Sequence, residues 1–472
     1  MCAAVGPVAL MALGSSAMGQ QAAAPAQKEW ADQVKNPCQY FSWGADERIR
    51  QEYIQNPYFF NTDPPGHEWN FGRYRSRAWA TVHATDWLDL NARLSWEWRY
   101  WEKPDSKDNT QYEDVKWDHL NIKIKPKDSP FSATIGRQDI ILGDGWLVLE
   151  GSPLDGSTTI SFDLAARFTF EFKDAKTTLD AIYIQQWSDP DHWMPAIASQ
   201  DRSMMEQDER GLILYATNKS IERTEISPYF MYKHDDAEPY HRVGGTPQSG
   251  GDTAPMARDG NNGEIYTLGA RTTHELNKNW KGKLEGAYQW GNRQRSDFNG
   301  GEGDDVSAWG FNSEIAYSFQ DTWKNVLKLQ FEHLSGDDRD TGTIESFYPL
   351  WARWPQWSEY YVYSFATETR IAEVTNLWRL GMAWQANPMD KMTLQAAYHA
   401  LWADETRDDV MGFGDSSFRG HLITGVIRYK FNRYLSAHLM GEYFFTGDYY
   451  QEEGPRNDDD GAYARFELMV TF

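Results

Sequence analysis

Arg73, Arg75 and Arg77 stand at alternate positions, with Tyr74, Ala78, Ala80 and Val82 on the opposite parity. Alternate side chains of a strand share one face, so three guanidiniums here form one cationic row. Such forks bind carboxylates through paired hydrogen bonds, and a ring of Lys and Arg around a pore selects anions. Covalent chemistry has thinner support. The chain has no Gly-x-Ser-x-Gly, and its 11 His include no His-Glu-x-x-His. Gly414-Asp415-Ser416-Ser417 is a loose cluster that reads as loop. Cys2 falls in a leader-like segment, which leaves Cys38 alone, so neither an intrachain disulfide nor a cysteine metal cluster is expected. No loop has the full calcium-loop spacing. Neither catalytic residues nor a cofactor nor a metal is expected. Catalytic groups brought together from distant loops, as in a barrel-borne lipase or protease, are the enzymatic alternative. A secreted carbohydrate-binding protein is another, favoured only by the aromatic content.

The elements that must position the arginines follow from composition and period. The chain has 472 residues, 46 basic and 69 acidic, for a net charge of −23, with 15% aromatic residues. The mean hydropathy is −0.70. An acidic balance argues against a nucleic-acid partner. After the N-terminus no run of ~18 apolar residues exists, which rules out helical membrane spans. A transmembrane barrel stays open, because lipid-facing and lumen-facing residues alternate and hide its membrane band in the average.

Residues 1–19 read as a signal peptide. Val5 to Gly19 are apolar and small, and Ala17-Met18-Gly19 is a small-x-small cleavage site, although the first lysine is Lys28 and no basic start precedes the run. A disordered Ala-rich tail is the other reading. Residues 20–43 read as a linker or periplasmic N-terminal segment, and 44–472 as one barrel domain.

From about residue 45 the period is two. Leu88, Leu90, Ala92, Leu94, Trp96, Trp98 and Tyr100 oppose Asp89, Asn91, Arg93, Ser95, Glu97, Arg99 and Trp101. Residues 159–172, 434–446 and 462–472 repeat the pattern, with Phe162, Leu164, Ala166, Phe168 and Phe170 on the apolar parity of the first of these. Such segments exceed the ~5–6 residues of soluble strands and match the ~9–11 that cross a bilayer at a tilt. About 18 of them are separated by connectors that alternate in length. Short ones fall near 84–86, 126–130, 173–176, 218–223, 276–279, 320–323, 387–391 and 432–433. Long ones fall near 55–70, 101–114, 143–157, 188–209, 234–263, 292–305, 335–370, 403–418 and 447–461. This predicts an all-β, up-and-down antiparallel barrel with short periplasmic turns and long extracellular loops. Trp87, Trp96, Trp98, Trp280, Trp323, Tyr443 and Phe445 suit its aromatic girdles, and the chain closes on Phe472 after an amphipathic strand.

Charge sorts by topology. The nine long connectors hold 42 acidic and 12 basic residues, leaving 27 acidic and 34 basic elsewhere. Acidic runs such as Asp458-Asp459-Asp460 read as solvated faces, or as binders of divalent cations among lipopolysaccharide. The wall is biased the other way. A cation facing lipid costs ~2–4 kcal/mol near the midplane, so the arginine row must face a water-filled lumen. The same parity places Arg93, Arg99, Lys123, Arg167, Lys233, Arg271, Lys281, Lys283, Lys328, Arg379, Arg428 and Arg465 inward, with acids such as Glu97, Asp163, Glu285, Glu314, Glu332, Glu442 and Glu467. For any one residue the alternative is a structural salt bridge that braces the wall.

Gly136-Arg137-Gln138, then Leu142-Gly143-Asp144-Gly145-Trp146, then Phe162-Asp163-Leu164-Ala165-Ala166-Arg167 resembles the bacterial alginate-export family of outer-membrane proteins. Arg73-x-Arg75-x-Arg77 and Trp117-Asp118-His119-Leu120 fit the same layout. The layout agrees over about 45–472, and the motifs cover about 70–170. The resemblance implies an 18-stranded barrel that passes an anionic uronate polysaccharide through an arginine-lined lumen. It implies Arg137, Asp163 and Arg167 at or near a constriction, with Arg73, Arg75, Arg77 and Arg93 as carboxylate contacts. Arg137 shares parity with the apolar Ile135 and Ile141, so a bulge must turn it inward, or it braces the rim.

The expected protein is thus a passive outer-membrane channel for an anionic polysaccharide or oligosaccharide, surrounded by lipid and lipopolysaccharide. A general porin for small anionic nutrients is the neighbouring alternative, and a periplasmic export partner is left open. Loops 143–157 and 335–370 would narrow or lid the pore. The aromatic stretch 347–357 (FYPLWARWPQW) either stacks sugar rings at the mouth or packs as plain loop.

Overall fold

Alternating polar and apolar side chains pair here into one antiparallel ring. The computed structural model describes residues 30–57, 60–107, 110–112, 115–150, 162–187, 207–237, 242–243, 246–247, 262–294, 303–352, 355–363, 374–407, 412–451 and 457–472. The expected signal peptide lies outside the described residues. The ring strands are β1 (Phe41–Gln55), β2 (Glu68–Thr85), β3 (Leu88–Lys103), β4 (Lys116–Ile124), β5 (Phe131–Gln138) and β6 (Phe162–Phe172). They continue with β7 (Thr177–Gln186), β8 (Gln207–Asn218), β9 (Thr224–Ala237), β10 (Gly263–Glu275), β11 (Trp280–Arg293) and β12 (Asp304–Ser318). The last six are β13 (Val326–Leu334), β14 (Leu377–Met389), β15 (Met392–Trp402), β16 (Phe418–Lys430), β17 (Leu435–Thr446) and β18 (Gly461–Thr471). Each pairs antiparallel with the next, and β18 returns to β1 from Asp46↔Thr471 to Gln55↔Ala462. The 18-stranded sheet is therefore closed, with no free edge.

The predicted rhythm of connectors is present. The β2–β3 turn is residues 86–87 and the β14–β15 turn is 390–391, whereas β13 and β14 are separated by residues 335–376. β1 begins at Phe41, inside the segment expected as linker. Before it, the short helix α1 (Trp30–Lys35) lies against the short-turn rim. Trp43 Nε1 donates to Val34 O at 2.8 Å, and Lys35 Nζ sits 5.1 Å from the Phe472 ring.

Burial is inverted relative to a soluble sheet. Ile49, Leu90, Ile122, Leu284, Leu329, Leu380, Ile423 and Leu439 are exposed, while Arg48, Arg73, Glu97, Glu209, Lys233 and Arg465 are buried. The exposed apolar face is the lipid face. Trp87, Trp280 and Trp323 mark its short-turn end, and Tyr288, Trp309, Tyr443 and Phe445 its long-loop end. A parity test follows. Leu284 is 44% exposed, between Trp280 and Tyr288. Leu284→Arg should cost ~2–4 kcal/mol in urea titrations of the protein folded in phospholipid, and the inner-face Gln395→Arg less than about 1 kcal/mol. Equal costs would remove the lipid-face assignment.

Strand β6 departs from the expected parity. Phe162 was expected on the lipid side with Leu164 and Ala166, but it is fully buried, 6.1 Å from the Trp351 ring. The cause is a bulge in β6, which sets two residues, Asp163 and Leu164, against the single Arg137 of β5. The β5–β6 register shifts between Gly136 and Gln138, so the strand end is rotated by one residue.

Candidate functional site

Strands β1 and β2 set five arginines side by side on the inner face. Arg48 is register partner to Arg75, Arg50 to Arg73 and Asp46 to Arg77. Carboxylates from β1 itself, β3 and β18 separate them. Glu97 accepts from Arg48 Nη2 at 2.9 Å and from Arg73 Nε at 2.6 Å. Glu467 accepts from Arg50 Nε at 2.7 Å, and Glu52 from Arg50 Nη1 at 3.2 Å. Asp46 takes both Nε and Nη2 of Arg77, at 3.0 and 2.5 Å. Arg75 differs. It is 3% exposed, its Nε has no hydrogen-bond partner, and no carboxylate lies within ion-pair distance among the described residues. Five guanidiniums share four carboxylates here, so the patch is net cationic.

Two bulges build the adjoining group. On β4 the register shifts at Asp118, which turns its side chain to Arg93 Nε at 2.8 and 2.9 Å. Arg93 Nη2 also reaches Asp139 at 3.0 Å, and His119 Nε2 lies 2.7 Å from the same carboxylate. On β5, Gly136 has φ +121, and a Cβ there would lie 2.3 Å from Leu120 O, so the position requires glycine. There Arg137 stands against the two bulged residues of β6, Asp163 and Leu164. Arg137 Nη2 donates to Asp163 at 2.7 Å, and Nη1 to Trp117 O at 3.0 Å. Gln138 Nε2 closes the bulge against the carbonyls of Thr134, Gly136 and Ala165. Arg99 lies with its guanidinium 5.8 Å from the Phe71 ring. Arg167, implied to belong with Arg137 and Asp163, lies nearer the short turns and pairs instead with Asp180, at 2.9 Å through Nε and Nη2.

Residues 343–352 and 355–363 cross the interior as a strap. Thr343–Ile344 pairs parallel with Asp305 and Val306 at the start of β12. Tyr348 then meets the wall at several points. Its hydroxyl accepts from Lys233 Nζ at 2.8 Å and donates to Asp235 at 3.1 Å, and its backbone N–H donates to Gln289 at 2.8 Å. Arg293 stacks on its ring at 3.9 Å. Trp351 is fully buried beside Phe162 and over Gly211, where a Cβ would collide with its ring. The Trp357 ring lies tilted against His399 (5.4 Å) and beneath the Arg379 guanidinium (5.1 Å). The strap then turns into α2 (Tyr360–Tyr363). Glu442 Oε2 accepts from Ser358 Oγ at 3.0 Å and from the Glu359 and Tyr360 N–H groups at 3.0 and 2.6 Å, capping that turn. Glu359 pairs with Arg465 at 3.1 Å, and Arg419 Nη1 donates to the Tyr361 hydroxyl at 3.0 Å. Phe347, Tyr348, Trp351 and Trp357 of the aromatic stretch thus pack within the barrel.

The segment 139–149 supports the strap. Trp146 Nε1 donates to Glu332 at 3.0 Å while its ring stacks on Phe347. Asp144 binds Arg271 at 2.8 Å and Lys283 at 2.9 Å. Burial pushes the Asp144 carboxyl up, but Lys283 and Arg271 outweigh it and hold it below the usual carboxylate range. A depressed carboxylate stabilises its contacts above its unfolded-state pKa of about 4 and loses that contribution as pH falls through its lower folded value. Single-channel conductance should therefore rise below about pH 4 as the segment loosens, and Asp144→Asn should start higher and respond less to acid. An Asp144→Asn channel matching wild type at neutral pH would exclude the tether.

The expected residues now divide. Arg271, Arg379 and Arg465 face inward but engage the strap, its supporting segment or wall acids. Arg428 is on the inner face beside His438, nearer the short turns. Arg73, Arg75, Arg77, Arg93 and Arg99 lie on β2 and β3, and Arg137 on β5. Among the described contacts of the strap, none runs to β2–β5. Sequence reasoning passed over Arg48, Arg50 and Glu52, although Asp46-x-Arg48-x-Arg50-x-Glu52 carries the same alternation as β2. For each inward cation it left open a water-filled lumen or a bracing salt bridge. Most of those near the long loops meet carboxylates and loop side chains, because isolated buried charge is costly.

The family model described as alginate export matches residues 39–463. No curated protein matches. Solved structures share the fold: OccAB2 of Acinetobacter baumannii has a TM-score of 0.55 at 9% identity, covering 91% of this chain and 98% of that one. OccK11 (OpdR) of Pseudomonas aeruginosa has 0.52 at 10%, covering 91% and 96%. OccK2 (OpdF) of the same organism, solved in complex with glucuronate, has 0.52 at 11%, covering 91% and 98%.

Proposed function

The chain belongs to the alginate export family of outer-membrane barrels, and from that premise we propose that it is a passive channel for an anionic, alginate-like uronate polysaccharide. The path runs off-centre, along the inner face of β2–β5, because the strap occupies the side lined by the other strands. Arg75 carries this reading. A buried guanidinium without a carboxylate partner keeps its hydrogen-bonding fork for an incoming anion. Arg48, Arg73, Arg77 and Arg93 already share their forks with acids, so each adds attraction without tight capture. Conduction needs contacts of that kind, favourable enough to admit the polymer and weak enough to release it. The channel acts without catalysis, and Asp163 positions Arg137 rather than reacting.

The second reading is a porin for small uronates and other carboxylates, favoured by the glucuronate bound to OccK2. Liposome flux separates the two. Oligouronates of several sugars should pass if the polymer is the substrate, and only monomers pass if the porin reading holds. A cation preference across a planar bilayer would exclude both.

A further inference from the structure

The lipid face of β1 and β2 is polar where a membrane band should be apolar. Glu47, Gln51, Asn70 and Ser76 share the outward parity of Ile49, which is 40% exposed. Glu47, Ser76 and Gln51 lie between Trp43, at the short-turn rim, and Tyr53, with which Asn70 is level. Ser76 Oγ donates to Glu47 Oε2 at 2.5 Å, Gln51 Nε2 to Asn70 Oδ1 at 2.8 Å, and Asn70 Nδ2 to Glu102 at 2.6 Å. Glu47 has no cationic partner among the described residues. Acyl chains offer nothing to the remaining lone pairs and N–H groups, and unsatisfied polar groups in hydrocarbon cost several kcal/mol each. Other stretches of the outward face at this depth carry mainly aliphatic and aromatic residues, with single hydroxyls such as Thr272 and Ser313 beside Leu284.

We propose that this face is a lateral interface with a second copy of the chain. The surface beside Glu47 and Ser76 is low, since Ala45, Ala78 and Ala80 hold outward positions there, while the Tyr74 ring covers Gly72. Small residues let two walls approach closely in a membrane, and polar side chains then bond across the contact. A second copy fits better than an unrelated partner because the open group at the centre is a carboxamide. Gln51 keeps one N–H and its carbonyl oxygen unused among the described residues, and a carboxamide is its own complement. A two-fold axis beside Ile49 sets Gln51 against the same residue of the other copy, an isologous contact.

The test is disulfide trapping in native outer membranes. Cys38 is exposed and is first replaced by serine, together with Cys2, which leaves a chain without cysteine. Ile49→Cys in that background should give a covalent dimer with copper phenanthroline. Leu284→Cys, on the opposite side of the ring, should not. Adding Gln51→Leu with Asn70→Leu should lower the Ile49→Cys dimer yield roughly tenfold. Dimer yields as low at 49 as at 284, a yield untouched by the two leucines, or a product containing another protein would each overturn the proposal. None of these readouts depends on what the channel conducts.

Discussion

Arg75→Glu should abolish the anion preference of the purified protein in a planar bilayer under a salt gradient. The change adds two negative charges beside the proposed path. In water-like dielectric each unit charge acts on an ion about 5 Å away with ~0.8 kcal/mol, so the pair changes the anion-to-cation permeability ratio by about tenfold or more. The new carboxylate would sit opposite Arg48 and next to Arg73 and Arg77, which makes folding tolerant of it. Arg167→Glu should also weaken the preference, though it additionally faces Asp180 with a like charge. An unchanged reversal potential in both variants would leave the wall arginines as braces alone.

Replacing residues 345–362 by a short Gly-Ser linker should raise single-channel conductance about threefold, since rings of 16–18 strands enclose an aqueous channel unless something fills it. The strap crosses from the β12 edge to the Trp351 seat and on to the Glu442 cap, so its removal opens the covered side. The ring itself should stay folded, because its pairing does not include the strap, and altered gel mobility of unheated samples checks this. Glu442→Ala is the milder companion. It removes one acceptor from three donors and should give frequent transient openings rather than a wide steady state. Unchanged conductance in the linker variant would show that the strap does not obstruct flow.

The closed ring was legible in the sequence because two physical signals coincide. Side-chain alternation is dictated by the strand itself, and the lipid side tolerates almost nothing but apolar residues, so parity could be read for β3, β17 and β18 without coordinates. It failed at Phe162 because a bulge in β6 shifts parity locally, and the parity of Arg137 pointed to a bulge without saying which strand carries it. The strap was harder still. Phe347 to Trp357 read equally as a sugar platform or as packing, since aromatic density does not say which wall a loop will meet. Arg75 and Arg73 are equivalent in sequence. What separates them is the position of Glu97, a cross-strand matter that residue spacing cannot express.

Because one chain segment crosses the interior of a ring whose pairing does not include it, filling and scaffold are independent variables in this architecture. Insertions or deletions between β13 and β14 could retune the molecular-weight cutoff across generations of descendants while insertion into the membrane and assembly of the cylinder go on as before.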